Sequence, residues 1–128
     1  ITTLMFRKIP KNFSAHDIVS ELDRYCNRRD FDFVYVPWYR YSRYNMNIAF
    51  VNFRSPASLQ AAVASMTGRA WTKAPGRAPI NTMCATTQGF AENLLRFQRD
   101  VLVSGEEITK NLPLVFDGGR EIPIDVAL

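Results

Sequence analysis

At 128 residues, 47% apolar and 22% charged, the chain has the make-up of one globular domain. That composition excludes a disordered segment and a small fold that needs metals or bridges to hold together. The net charge of +4 hides an asymmetry that suggests a polyanion surface built from the front of the chain: residues 1–77 carry twelve Lys/Arg against five Asp/Glu, net +7, and residues 78–128 carry four against seven, net −3.

Thr2 to Ile9 alternates as a strand, with Leu4 and Phe6 on one side and Thr3, Met5 and Arg7 on the other, and Pro10 ends it. Ser14 followed by Asp17 is a helix-start signature. The helix it opens presents Ile18, Leu22 and Cys26 at four-residue spacing, widened by Val19 and Tyr25, with His16 a solvated residue of its first turn. Phe31 to Val36 is a second strand, apolar on both faces and stopped by Pro37, so its buried face stays open. Residues 38–46 form a loop rich in Tyr and Arg. It leads into the strand Asn45 to Phe53, whose Ala49, Val51 and Phe53 point into a core while Ile48, Phe50 and Asn52 point away from it. Ser55-Pro56 opens a second helix with Leu59, Ala62, Val63 and Met66 inward, and Gly68 closes it. Residues 72–79 are a loop, Ile80 to Thr87 a weaker fourth strand, and Phe90, Leu94, Phe97 and Val101 the packing stripe of a third helix. The tail from Leu112 is apolar but broken by Pro113, Gly118, Gly119 and Pro123, which predicts an extended, packed segment.

The order β-α-β-β-α-β predicts an α+β, ferredoxin-like split β-α-β fold: a four-stranded antiparallel sheet with its first and third strands central and two helices on one face, followed by an additional C-terminal helix and ordered tail. Residues 1–88 would form the core and residues 89–128 the helix and tail packed on the same domain.

No apolar run reaches membrane-spanning length and no signal-peptide pattern opens the chain, whose start at Ile1 is expected of a piece cut from something longer. Cys26 and Cys84 form no CxxC and His16 is the lone histidine, so no zinc set is expected; both thiols are expected as small core residues in a reducing compartment. The tripeptide Asn12-Phe13-Ser14 matches a glycosylation acceptor, a pattern common by chance. No nucleophile–base pair, phosphate loop or dinucleotide fingerprint is present, so neither an enzyme nor a cofactor or metal is expected.

The stretches Met5-Phe6-Arg7-Lys8-Ile9-Pro10, Phe31 to Pro37, Ala49-Phe50-Val51-Asn52, Trp71, Gln88-Gly89, Phe97-Gln98 and Pro113 to Phe116, in that order, carry a family resemblance. The chain resembles the C-terminal RNA recognition motif of the mei-two-like proteins, regulators of meiosis and development. The resemblance implies a single-stranded RNA partner met by the open sheet face, within an intracellular regulatory protein of nucleus or cytoplasm. A typical member of the fold stacks bases on three aromatic positions, which hold Met5, Ile48 and Phe50 in this chain. Asn47 replaces a usual Gly, and Lys8 stands where the mei-two-like proteins tend to have Asn.

Trp38-Tyr39-Arg40-Tyr41-Ser42-Arg43-Tyr44 sets four rings and two guanidinium groups in seven residues, offering π-faces to unpaired bases and charge to phosphates. The expected RNA surface therefore comprises Met5, Arg7, Lys8, Ile48, Phe50 and Asn52 on the sheet with Trp38, Tyr39, Arg40, Tyr41, Arg43 and Tyr44 in the loop. Against it stand a loop whose rings fold back onto the protein and a Phe50 covered by the C-terminal segment. Arg28, Arg29 and Lys11 are expected as solvated surface. The alternative function is a protein-interaction module that kept the fold and reduced the RNA surface, which the apolar pair Met5 and Ile48 would suit. In either case a monomeric domain without membrane or small-molecule ligands is expected.

Overall fold

The computed structural model describes residues 1–39, 41–104 and 111–124. Along the chain lie β1 (Thr3–Arg7), α1 (Ala15–Leu22), a 3-10 turn (Arg28–Asp30), β2 (Phe31–Tyr35), β3 (Ile48–Phe53), α2 (Pro56–Met66), β4 (Asn81–Cys84), α3 (Phe90–Ser104), β5 (Leu114–Asp117) and β6 (Arg120–Ile122). The strands form one sheet in the order β4-β1-β3-β2-β5-β6, every neighbouring pair antiparallel. Four adjacent strands, β4-β1-β3-β2, are those expected from the sequence. The other two are a difference: the tail is a hairpin that pairs with the outer edge of β2. Gly118 and Gly119, both at positive φ (58° and 88°), form a two-residue connection of the kind whose twist matches the strands it joins.

Local chemistry accounts for the helix starts. Ser14 Oγ accepts from the Asp17 N–H at 3.2 Å while Asp17 Oδ2 accepts from the Ser14 N–H at 2.8 Å, a reciprocal cap for α1. Ser55 caps α2 with Pro56 in its first turn. The two helices cover one sheet face, burying Leu4, Phe6, Ala49, Val51 and Phe53 against Ile18, Leu22, Leu59 and Met66. Each large side chain removed from water there contributes roughly 1.5–3 kcal/mol. Trp71, wholly buried, packs edge-on to Phe13 at a centroid distance of 5.4 Å.

The two-sided apolarity of β2 is explained by an irregularity in its pairing with β3 between Phe31 and Phe33. An extra residue in one strand shifts the parity of the side chains that follow. Phe31 therefore joins the main core, whereas Phe33 lies on the opposite face in a second core with Leu94 and Val115. The stripe of α3 packs there: Phe97 meets the Tyr35 ring edge-on at 5.3 Å, and Phe90 meets Phe33 at 6.5 Å.

Two expectations, for Cys84 and Arg28, are corrected. Cys26 packs against the main core, where burial, with Asp30 and Asp23 nearby, pushes its thiol up to about 11, but Cys84 is exposed at the end of β4. Arg28 is not simply solvated: it forms a two-pronged bond to Asp23 and lies 5.3 Å over the Phe116 ring.

Candidate nucleic-acid interface

The register of the sheet sets the candidate residues in rows on the face opposite α1 and α2. Met83, Met5, Phe50 and Tyr35 are successive cross-strand partners from β4 to β2, and Asn81, Arg7 and Ile48 form the next row. α3 covers the Thr3–Asn52 row and the β2 end of this face and leaves Arg7 and Met83 exposed. Between α3 and β3 lies a cleft of about 400 Å³, within the range of small-ligand sites, whose apolar walls include Phe50, Ile48, Phe97 and Trp38 and whose polar groups include Arg96 and Asp100. The Phe50 ring is half-buried, packed against the second core yet still lining the cleft. Tyr35, largely withdrawn from water under Phe97, has its hydroxyl pKa raised by burial and by the Asp100 charge.

The start of α3 is fixed to the sheet by a polar network. Thr3 Oγ1 donates to Asn52 Oδ1 at 2.8 Å and accepts from the Gly89 N–H at 2.9 Å and Asn93 Nδ2 at 3.0 Å. Gln88 Oε1 accepts from the backbone N–H groups of Thr2 and Thr3, both at 2.8 Å, and its Nε2 donates to the carbonyls of Thr3 and Ala85. Asn52 is thereby corrected as a candidate base reader. It is only 3% exposed; its Oδ1 also accepts from Thr2, and its Nδ2 donates to Asp32 Oδ1 at 2.8 Å. Burial raises the Asp32 carboxyl pKa, against the lowering effect of that bond and of the Arg54 charge.

The loop between β2 and β3 divides. Trp38 folds back: it packs against the main core, bridges to Asn45, and its indole N–H has no hydrogen-bond partner among the described residues. Tyr39 and Tyr44 are 53% exposed and Tyr41 is 92% exposed, and Arg43 is exposed with them. Arg40 lies outside the described residues. The return arm is tied down by Asn45, whose Nδ2 donates to the carbonyls of Pro10 and Phe13, both at 2.9 Å. Asn47, at φ 61°, donates from Nδ2 to the Ile9 carbonyl and accepts the Ile9 N–H on its own carbonyl. This left-handed backbone explains why glycine suits the position and asparagine is a tolerated substitute. Lys8, beside it, is also left-handed at φ 55°, a conformation that costs a non-glycine residue roughly 1–2 kcal/mol.

The sequence reading missed Thr3, Gln88 and Asn93 as the anchors of α3, and Phe97 as a wall of the cleft. Gln88-Gly89 ahead of the helix was the available signal, because a glutamine with four amide-group bonds has to be matched by backbone brought from elsewhere.

A family model described as RNA recognition motif 2 matches residues 1–98. The chain is 30% identical over 119 residues to Protein MEI2-like 3 of Arabidopsis thaliana, covering 93% of this chain and 15% of that protein. To Protein MEI2-like 5 of Oryza sativa subsp. japonica it is 27% identical over 116 residues, covering 91% and 14%. It thus spans a small part of the relatives it matches. Among solved structures, the second RRM domain of yeast poly(U)-binding protein (Pub1) aligns with a TM-score of 0.54 at 17% identity, over 70% of this chain and all of that one. The Rna15 RRM with bound RNA (GU) aligns with a TM-score of 0.55 at 16% identity, over 76% and 96%. At such identities the likeness establishes the fold, and the family match establishes kinship: this chain belongs to the RNA recognition motif 2 family, of the MEI2-like type.

Proposed function

We propose that this domain binds single-stranded RNA, laying an unpaired base against Phe50 in the cleft beneath α3, with the exposed Tyr39, Tyr41, Tyr44 and Arg43 gripping the flanking nucleotides. The observation that carries the reading is a half-buried aromatic ring lining an open cleft, next to the exposed Arg7 at the end of β1 and Lys8 just after it. An aromatic face in that position stacks on any base and contributes ~1–3 kcal/mol. The Rna15 domain, similar in fold, was solved with RNA bound, which supports this reading. By the same inference the domain serves a larger intracellular regulatory protein as its RNA-contacting part, acting as a monomer without catalysis.

A second reading, a protein-docking surface, is favoured by the exposure of Met83 and Met46 beside this face. Fluorescence anisotropy with labelled random RNA pools at low salt separates the two. RNA binding predicts saturable association that Phe50→Ala weakens about 5- to 150-fold and Arg43→Ala weakens further at low salt than at high. Absence of saturable binding at low salt sinks the proposal in favour of protein docking.

A further inference from the structure

Beside the cleft runs a second depression of about 490 Å³ whose lining contains Arg7, Lys8, Lys11 and Arg77 and no carboxylate. These four cations come from three segments: the end of β1, the connection from β1 to α1, and the loop between α2 and β4. None of them makes an ion pair among the described residues, whereas Arg28 bonds Asp23, Arg24 lies near Glu21 and Lys73 bonds Asp17. Lys11 lies 5.9 Å over the Tyr44 ring, and what sets the four apart is that they share one lining without a carboxylate.

The depression is also built rigidly. The Asn45 and Asn47 amides join its two backbone walls. The loop that brings Arg77 is pinned by Glu21, which accepts from the Thr72 N–H and Thr72 Oγ1, both at 2.9 Å, and by the Lys73–Asp17 bond. Met46 and Ile48 line both this furrow and the cleft, so the two form one continuous path. Their charges differ: Arg96 and Asp100 offset each other in the cleft, whereas the charged groups of the furrow are all cations. The opposite way out, across β2, is occupied by Phe97 on Tyr35.

We propose that the sugar–phosphate backbone of a bound RNA leaves the cleft through this furrow, with its phosphates on Arg7, Lys8, Lys11 and Arg77. The strand then turns off the sheet toward the α2–β4 loop instead of continuing across β2. Lys11 and Arg77 become phosphate-binding residues, and the proposal rests on the reading that the cleft takes a base.

The test uses the whole chain and labelled single-stranded RNAs of eight nucleotides, with anisotropy measured between 0.05 and 1 M salt. Single-stranded phosphate contacts each contribute roughly 0.7 to the slope of log affinity against log salt. Lys11→Gln/Arg77→Gln should therefore reduce the slope by about 1.4, weaken binding ~25-fold at 0.1 M salt and converge on the parent toward 1 M, equally for every base sequence. A control of the same charge change, Arg69→Gln/Arg120→Gln, should leave the slope close to the parent's. A Lys11/Arg77 variant with the parent slope, or a control that falls as far, overturns the furrow; if Phe50→Ala still weakens binding in that case, the cleft reading survives. If the parent chain binds no RNA, both fall together.

Discussion

Replacing Met5 with phenylalanine tests the base-stacking geometry by gain rather than loss. Met5 is the cross-strand partner of Phe50 in β1–β3 and of Met83 in β1–β4, and it belongs to neither buried core. A ring there adds a second aromatic face next to Phe50 without displacing core packing. One more stacking platform is worth ~1–3 kcal/mol, an affinity gain of about 5- to 150-fold for an RNA long enough to present two adjacent unpaired bases. The assay is anisotropy with a six-nucleotide RNA at 0.1 M salt, paired with a thermal melt of each protein. Because the two side chains are neighbours, the gain should shrink in a Phe50→Ala background, where the first platform is missing. Equal or weaker binding by Met5→Phe, at an unchanged melting temperature, would show that bases do not sit over the Met5–Phe50 row, and the stacking argument would have to be abandoned.

Asn52→Leu should lower stability by about 3 kcal/mol in urea unfolding, since it strands the Asp32 carboxylate and two threonine hydroxyls; a loss below about 1 kcal/mol would mean the network contributes little. Burial acts to raise the Asp17 carboxyl pKa, but the bonds from Lys73 and Ser14 outweigh it and the pKa is lowered. A carboxylate lowered on folding adds stability that is present above the unfolded value near pH 4 and lost as pH falls through the folded one. Asp17→Asn should accordingly flatten the acid limb of thermal stability below about pH 4, and an unaltered limb would refute that assignment. At pH 8 a thiol reagent should label Cys84 quickly and the raised, half-buried Cys26 slowly, so that Cys84→Ser removes the fast phase and Cys26→Ala keeps it; the reverse pattern would contradict the burial described.

The parts of this fold readable from sequence were those set by local rules. Alternation in Leu4–Phe6 and Ala49–Phe53, the Ser14–Asp17 cap and the Pro56 helix start each declare themselves within a few residues. Long-range partners were not readable. Asn52 looks like an exposed strand amide until Thr3, 49 residues earlier, and Asp32, 20 residues earlier, are brought beside it. The stripe of α3 announced an apolar contact but not that its partners would be Phe33 and Tyr35, on the face that the sequence left either open or covered by this helix or the tail. Trp38 belonged by composition to the exposed aromatic loop, and only the turn of the chain after Pro37 withdraws it. The tail misled for a different reason: Gly118 and Gly119 were weighed as interruptions, although two adjacent glycines between Leu-Val-Phe-Asp and Arg-Glu-Ile are also a hairpin signal.

That hairpin bears on how much of the chain a working domain needs. β5 satisfies the backbone groups along the outer side of β2, and Phe116 sets its ring edge-on to Phe31 at 5.3 Å. Were the polypeptide trimmed just short of Leu114, a ribbon of phenylalanine and valine would be left with unpaired amides, a template for joining to its own kind. The last strands therefore act as a selvedge: they line neither the cleft nor the furrow, yet they cover an apolar border that would otherwise lie bare.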